Sequence, residues 1–279
     1  MEQLARLKAR LTTLTELGDI IVAMRALAAA VLQEGRQALP AVSRYARLIE
    51  DGIGDVAAIL DATAEQPPGD DTVEAETFCI IGSEHGFVGD LNAELLAGVD
   101  LPRASRLIVV GGRLQGAATE RDLPIAAALP MTTHVAGVPL LARKIAECVG
   151  VAARVRLVTV QHEASTVGVS AQERQVLPVP LPAPGARSSP PPLHQIKAQE
   201  LLAELAGEYL LAEISRALIE GLIEENQIRL GVLNAASKNI SDKLEELRRK
   251  ERTLRQETIT TELLDVVVGA LAVTETEGH

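Results

Sequence analysis

The stretch Leu247–Ala272 reads LRRKERTLRQETITTELLDVVVGALA. At its centre stands Arg255-Gln256-x-x-Ile259-Thr260-x-Glu262, followed by Gly269-Ala270. No catalytic or metal-binding chemistry needs that spacing. A long helix that must show different polar groups on different sides does. At about 100° per residue, Gln256, Thr260 and Leu263 share one face, and Arg255, Ile259 and Glu262 share the neighbouring one. Upstream, Glu245/Arg249, Glu246/Lys250 and Glu251/Arg255 are favourable i,i+4 pairs for an exposed rod. Leu211, Ile214, Leu218 and Leu222 open an apolar seam, and Ile228, Val232, Ala235, Leu244 and Leu247 continue it less regularly. The pattern predicts one very long helix over residues 195–273.

Residues 1–65 predict a second rod. Leu4, Leu7, Leu11, Leu14, Leu17, Ile21, Met24, Ala28 and Val31 recur at spacings of three and four, as a coiled-coil seam does. Gly18 and Gly35 should weaken this helix and Pro40 should kink it. The alanine-rich run Ala26–Ala30 is where a partner helix is expected to approach most closely, with Ala29 and Ala30 at the contact.

Between the rods, over residues 73–181, the period changes. Phe78–Ile81, Leu107–Val110 and Val155–Val160 are short apolar runs of the buried-strand type. Helical stretches lie near Leu91–Leu96, Arg113–Glu120 and Leu140–Val149, so strand and helix alternate as in a small, largely parallel α/β layer. Glu173–Leu181 reads as an edge strand, because its prolines cannot sit inside a sheet. Turn or linker composition marks Glu65–Asp70 and the proline-rich residues 182–194. The expected fold is α/β: long N- and C-terminal helices pairing as an antiparallel coiled coil around a small central Rossmann-like domain.

Bulk properties exclude several classes. Aromatics are 1% of the 279 residues, with no Trp, which leaves no base-stacking surface. A net charge of −11 disfavours nucleic acid as a partner. The two cysteines, Cys79 and Cys148, make no disulfide framework and fit a reducing compartment. Charges at Glu2, Arg6, Lys8 and Arg10 argue against a signal peptide, and no apolar run is long enough for direct membrane insertion.

The loop Gly82-Ser83-Glu84-His85-Gly86-Phe87-Val88-Gly89-Asp90-Leu91-Asn92 follows a strand and opens a helix, as phosphate-binding loops do. It lacks the Lys-Ser/Thr of a Walker A loop, and an acidic Glu84 would repel phosphate, so no nucleotide or other cofactor is expected. Ser83, Glu84 and His85 are neighbours on a turn, whereas a catalytic triad needs converging side chains. His134, His162 and His194 are scattered without metal-ligand spacing, and Cys79 reads as a small core residue. Arg248-Arg249-Lys250 is flanked by Glu245, Glu246 and Glu251, the make-up of a solvated helix face.

Taken together, the quoted residues resemble the gamma subunit of F-type ATP synthases. The C-terminal run is similar to that family's R-Q-x-x-I-T-x-E with a terminal G-A. Ile20–Leu32 resembles I-T-x-A-M-x-M-V-A-A-A-K-L, and Tyr45-Ala46 falls on the family's Y-A. Ser83, Gly86, Gly89, Leu91 and Asn92 match S-x-R-G-L-C-G-x-L-N. Arg229 and Ala235-Ala236-Ser237-Lys238-Asn239 resemble R-M-x-x-M-x-A-A-T-x-N-A, with Ile240 departing. The resemblance is weak from about Asp100 to Gln172. Asp19, Val22, Val31 and Glu34 stand at positions that the family often fills with basic or polar residues, the mark of a divergent member such as an alternative sodium-type F-ATPase branch.

The resemblance implies a non-catalytic rotor shaft, with catalysis on the beta subunits. The rods would turn inside a ring of alpha and beta subunits. The α/β domain would meet the epsilon subunit and the membrane c-ring, placing the chain peripherally on the cytoplasmic face of the cell membrane. Met24, Arg25, Arg255, Gln256, Thr260 and Glu262 match family positions that face the ring. A coiled-coil adaptor would share the rods but not the constellation Gln256/Thr260/Glu262, and a nucleotide-binding enzyme would need the Gly82–Gly89 loop to hold phosphate.

Overall fold

A computed structural model of the chain describes residues 2–61, 76–102, 105–150, 152, 154–162, 169–179 and 195–276. The expected linkers at 65–70 and 182–194 lie outside the described residues. The two terminal rods are single helices, α1 (Glu2–Asp61) and α5 (Ala198–Thr276). Between them come β1 (Thr77–Ile81), α2 (Leu91–Ala97), β2 (Arg106–Val110), α3 (Gly112–Glu120), β3 (Ile125–Leu129), α4 (Val138–Val149), β4 (Val155–His162) and β5 (Val169–Leu177).

The strands form one sheet in the order β3-β2-β1-β4-β5. The first four are mutually parallel and β5 closes one edge antiparallel to β4. β1 is buried on both faces, and β2 is so after Arg106, which is why these strands read as unbroken apolar runs rather than alternating ones. Side chains alternate between two cores. Cys79, Ile81, Ile108, Val110 and Leu157 point to the face covered by α4, α5 and the later part of α1. Phe78, Ile80, Leu107, Val109 and Val158 point to the face covered by α2 and α3.

Two strand expectations need correction. β3, with sequence IAAAL, was not foreseen: its alanines bury little, and it is an edge strand with alternating partial exposure. The C-terminal edge strand is real but lies earlier, at Val169–Leu177, and stops before Pro178, which has no N–H to extend the ladder.

By compactness the chain divides into two units, one of residues 28–230 and one of 1–27 with 231–279, so that both long helices belong to both units. In the first, α1 and α5 run antiparallel: Arg36 donates to Gln227 at 2.9 Å and Tyr45 to Glu208 at 2.9 Å. Their close approach is at Gly35, where an added Cβ would stand 2.8 Å from Ile223 Cγ1. Ala29 and Ala30, expected at that contact, are exposed, and Ala28 alone of the alanine run is buried. A missing side chain brings two helix backbones nearer than an alanine does, so the glycine marks the contact. α1 also continues unbroken through Pro40.

In the second unit the helices are thinly covered. Leu4, Leu7, Leu11, Leu14, Ile21 and Met24 are half-buried, as the seam required, but Leu17 is 44% exposed. Its place is taken by Gly18, whose added Cβ would lie 3.6 Å from Ile240 Cγ2. On α5 the seam passes through Leu233 and Ala236, with Ala235 exposed, and then Ile240, Leu244 and Leu247. Lys250 and Lys243 both pair with Glu246 at 2.6 Å, and Arg249 pairs with Glu245. The expected Glu251–Arg255 pair does not form: Glu251 is half-buried on the seam side, while Arg255 is exposed.

Candidate functional site

The loop after β1 is built as a junction. Gly82 lets α2 and α3 close over it, since a Cβ there would meet Asn92 Oδ1 at 2.6 Å and Leu114 Cβ at 2.7 Å. Ser83 is fully buried; its N–H donates to Asn92 Oδ1 and its Oγ accepts from Asn92 Nδ2 at 2.8 Å. Gly89 turns the chain at φ +57, and Phe87, at φ 62, is 52% exposed.

Glu84 does more than deter phosphate. Its Oε2 accepts the Gly112 N–H at 2.9 Å and the Met131 N–H at 2.8 Å. Gly112 is the first residue of α3, so the carboxylate sits at a helix N-terminus, where free N–H groups and the helix dipole favour a negative charge. The same contact ties together the C-terminal ends of β1, β2 and β3. Ser83, Glu84 and His85 each turn to a different partner, and the His85 side chain is exposed, so no triad is assembled.

Behind the loop lies a buried polar cluster on α5. Arg229 donates from Nε to Gly86 O at 3.2 Å, from Nη2 to His85 O at 3.4 Å, and from Nη1 to Asn226 Oδ1 at 2.9 Å. It also pairs with Glu225, which accepts the His85 N–H at 3.5 Å. Burying a charge is costly unless it is paired and hydrogen-bonded, and here both conditions are met. A second cluster joins α5 to β5. Glu213, 2% exposed, accepts from Arg174 at 3.4 Å and from Arg216 at 2.5 Å. Burial pushes the Glu213 carboxyl above its usual range, against the two arginines that pull it down.

Cys79 is a buried core residue whose thiol is pushed up to about 12, first by burial. Among the described residues no group of three or more metal-ligating side chains comes together. None of their helices is long and apolar enough to cross a membrane.

The six positions that sequence reading set against a partner ring fall into two groups. Arg255, Gln256, Thr260 and Glu262 are exposed on α5, and the Thr260 hydroxyl donates to Gln256 O at 2.9 Å. Around them Ile259, Leu263, Leu264, Val266 and Val267 are between 47% and 69% exposed. Met24 and Arg25 on α1 are half-buried, and Arg25 Nε is buried with no hydrogen-bond partner.

A sequence family described as ATP synthase matches residues 3–273. The chain belongs to the ATP synthase family. The ATP synthase gamma chain of Granulibacter bethesdensis is 27% identical over 303 aligned positions, which cover 98% of this chain and 100% of that one. That of Moorella thermoacetica is 23% identical, covering 97% and 99%. Among solved structures, a chain from the Euglena gracilis mitochondrial ATP synthase, in a structure of its OSCP, F1 and c-ring, has a TM-score of 0.65 at 14% identity, covering 98% of this chain and 95% of that one. A chain of the rotor of the same enzyme has a TM-score of 0.61 at 16% identity. At such identity the likeness is one of fold: a central parallel sheet with long terminal helices.

In this member of the ATP synthase family, sequence reading singled out the loop but missed what holds it. Arg229 stood in a quoted motif, yet its partners at positions 85 and 86 are more than 140 residues away in sequence. An arginine within the apolar period of a long helix is the one signal that could have found it.

Proposed function

We propose that the chain is the non-catalytic central shaft of a bacterial-type F1Fo ATP synthase, turning inside a ring of alpha and beta subunits. Its sheet unit would meet the epsilon subunit and the c-ring at the cytoplasmic face of the cell membrane. The supporting observation is the bare end of α5, where Arg255, Gln256, Thr260 and Glu262 stand among large exposed apolar side chains. A free monomer rarely leaves such a surface open.

The mechanism follows from asymmetry. A helix pair has one polar set at Gln256/Thr260 and another at Arg255/Glu262, so it meets each surrounding subunit with different contacts. Turning it changes which contacts each subunit receives, and so the relative stability of that subunit's open and closed states. A contact of this kind contributes about 0.5–1.5 kcal/mol, more where a charge takes part, so several are needed to shift a population decisively.

The test is co-expression with family alpha and beta subunits. The expected result is a complex that hydrolyses ATP, while the isolated chain neither hydrolyses nor binds it. Failure to co-purify with the ring, or micromolar nucleotide binding by the isolated chain that Gly86→Val abolishes, would overturn the reading.

A further inference from the structure

The part of α5 that crosses the sheet, Tyr209 to Arg229, is held in two different ways. Most of its surface is apolar and packs against the sheet and α1 through residues such as Ile214, Leu218 and Leu222. Such packing resists rolling by steric interlock, but the apolar burial behind it has no preferred direction of its own. The two polar clusters are directional. At 1.5 Å per residue Glu213 and Arg229 lie about 24 Å apart along the helix, and at 100° per residue they point about 160° apart around it.

One cluster grips the edge strand through Arg174, whose Nη1 lies 3.4 Å from Glu213 and 3.3 Å from Glu220. The other grips the β1–α2 loop through the Gly86 and His85 carbonyls. Both grips bind to elements of the sheet, and the second stands two residues before α5 leaves this unit. At a helix surface radius of about 5–6 Å, a roll of about 10° moves a side chain by roughly 1 Å. That is enough to take a hydrogen bond outside its working distance. A roll in either sense strains both grips, and because they lie on nearly opposite sides the helix cannot pivot about one to spare the other. The guanidinium suits this role, since its planar fork holds several acceptors in fixed directions.

Resting on the rotor reading above, we infer that Arg229 and Arg174 are positioning residues that lock α5 in rotation against its sheet, and so set how stiffly twist passes between sheet and helix. They touch no reacting group and act through the helix they hold.

The experiment uses the complex with alpha and beta subunits fixed to a surface and a bead on the sheet unit through Glu120→Cys. The readout is the variance of bead angle in a stalled complex. In Arg174→Met with Arg229→Met the variance is expected to rise at least twofold, with each single variant between that and wild type. Loss of packing alone would not give that graded pattern in complexes that assemble normally. Wild-type variance in the assembled double variant would overturn the inference. Should the double variant not fold, Arg174→Lys and Arg229→Lys keep the charge and lose the fork; they must still raise the variance, and unchanged values would overturn it equally.

A wild-type chain that does not join the ring would sink the rotor reading separately. The grip is then judged in the isolated full chain by hydrogen exchange. Arg229→Met must speed exchange of the amides at 83–91 at least tenfold while β2 is unchanged, and equal rates at 83–91 would overturn it.

Discussion

Helix α5 has two ends that obey different rules. Between Tyr209 and Arg229 it is buried on nearly every side, and even its charged residues Glu213, Glu225 and Arg229 are under 10% exposed. From Arg255 onward its large apolar residues Leu263, Leu264 and Val266 are more than half exposed. Intrinsic helix propensity does not separate these segments, since both are rich in good helix formers. The difference lies in what covers them. The first segment finishes its packing inside the chain; the second is left for something outside it. A helix can therefore be regular along its whole length while its stability is supplied by the fold at one end and by assembly at the other.

Truncating one leucine in each segment should separate them most strongly. Leu218→Ala, at a fully buried position, should cost about 2–5 kcal/mol in denaturant unfolding of the isolated chain. Leu263→Ala should stay within about 0.5 kcal/mol of wild type. Equal losses would mean that the far end is packed in the free chain after all.

Next comes the carboxylate at the head of α3. Glu84→Ala removes the acceptor of two backbone N–H groups, each bond to a charge being worth about 1.5–3 kcal/mol. A substantial loss of stability should follow, and Glu84→Gln should recover part of it. If Glu84→Ala melts like wild type, the carboxylate is not what ties the strand ends together.

Replacing Gln256, Thr260 and Glu262 together by alanine should barely move the unfolding free energy, because all three are exposed and alanine is the best helix former. In the reconstituted complex the same variant should pump fewer ions per ATP. Full coupling would leave these residues as shared ancestry without a shared contact.

The smallest effect sharpens the picture of the exposed rod. Lys243 and Lys250 hold the Glu246 carboxyl down at about 2. A depressed folded value means that its contribution to stability is present above about pH 4.5 and is lost as pH falls toward 2. Because the group is open to solvent, NMR titration in 1 M salt, where the screening length is about 3 Å, should return it most of the way to the ordinary carboxylate range. A value that salt does not move would place the group in a far drier setting than an exposed helix face.

How much could be read in advance depended on whether a feature was local. β1, β2 and β4 announced themselves as apolar runs, because a strand buried on both faces needs nothing else to identify it. β3 did not, since three alanines at an edge carry almost no burial signal. The seam was legible to within one residue, and the slip at Leu17 came from preferring a large apolar side chain to Gly18, whose use is its lack of one. The exposed polar set on α5 was legible because its spacing is written along one helix. The role of Glu84 was not, since Gly112 and Met131 stand 28 and 47 positions away. The same holds for Arg229, whose directional bonds exist only once the sheet has brought a distant loop beneath it.

In the first part of α1 half-buried positions repeat in sevens: 4, 11, 18 and 25 along one line, and 7, 14 and 21 along the other, with Met24 beside them. Straight helices advance 3.6 residues per turn, so a strict seven-residue repeat winds a helix pair to the left. A rope laid in one hand is not neutral toward load. Twist applied with the lay drives its two strands together, and at Gly18 they already meet across a single methyl-sized gap. Twist against the lay opens the strands instead, and only the thin apolar seam opposes it. Such a pair yields sooner in one sense of turning than in the other.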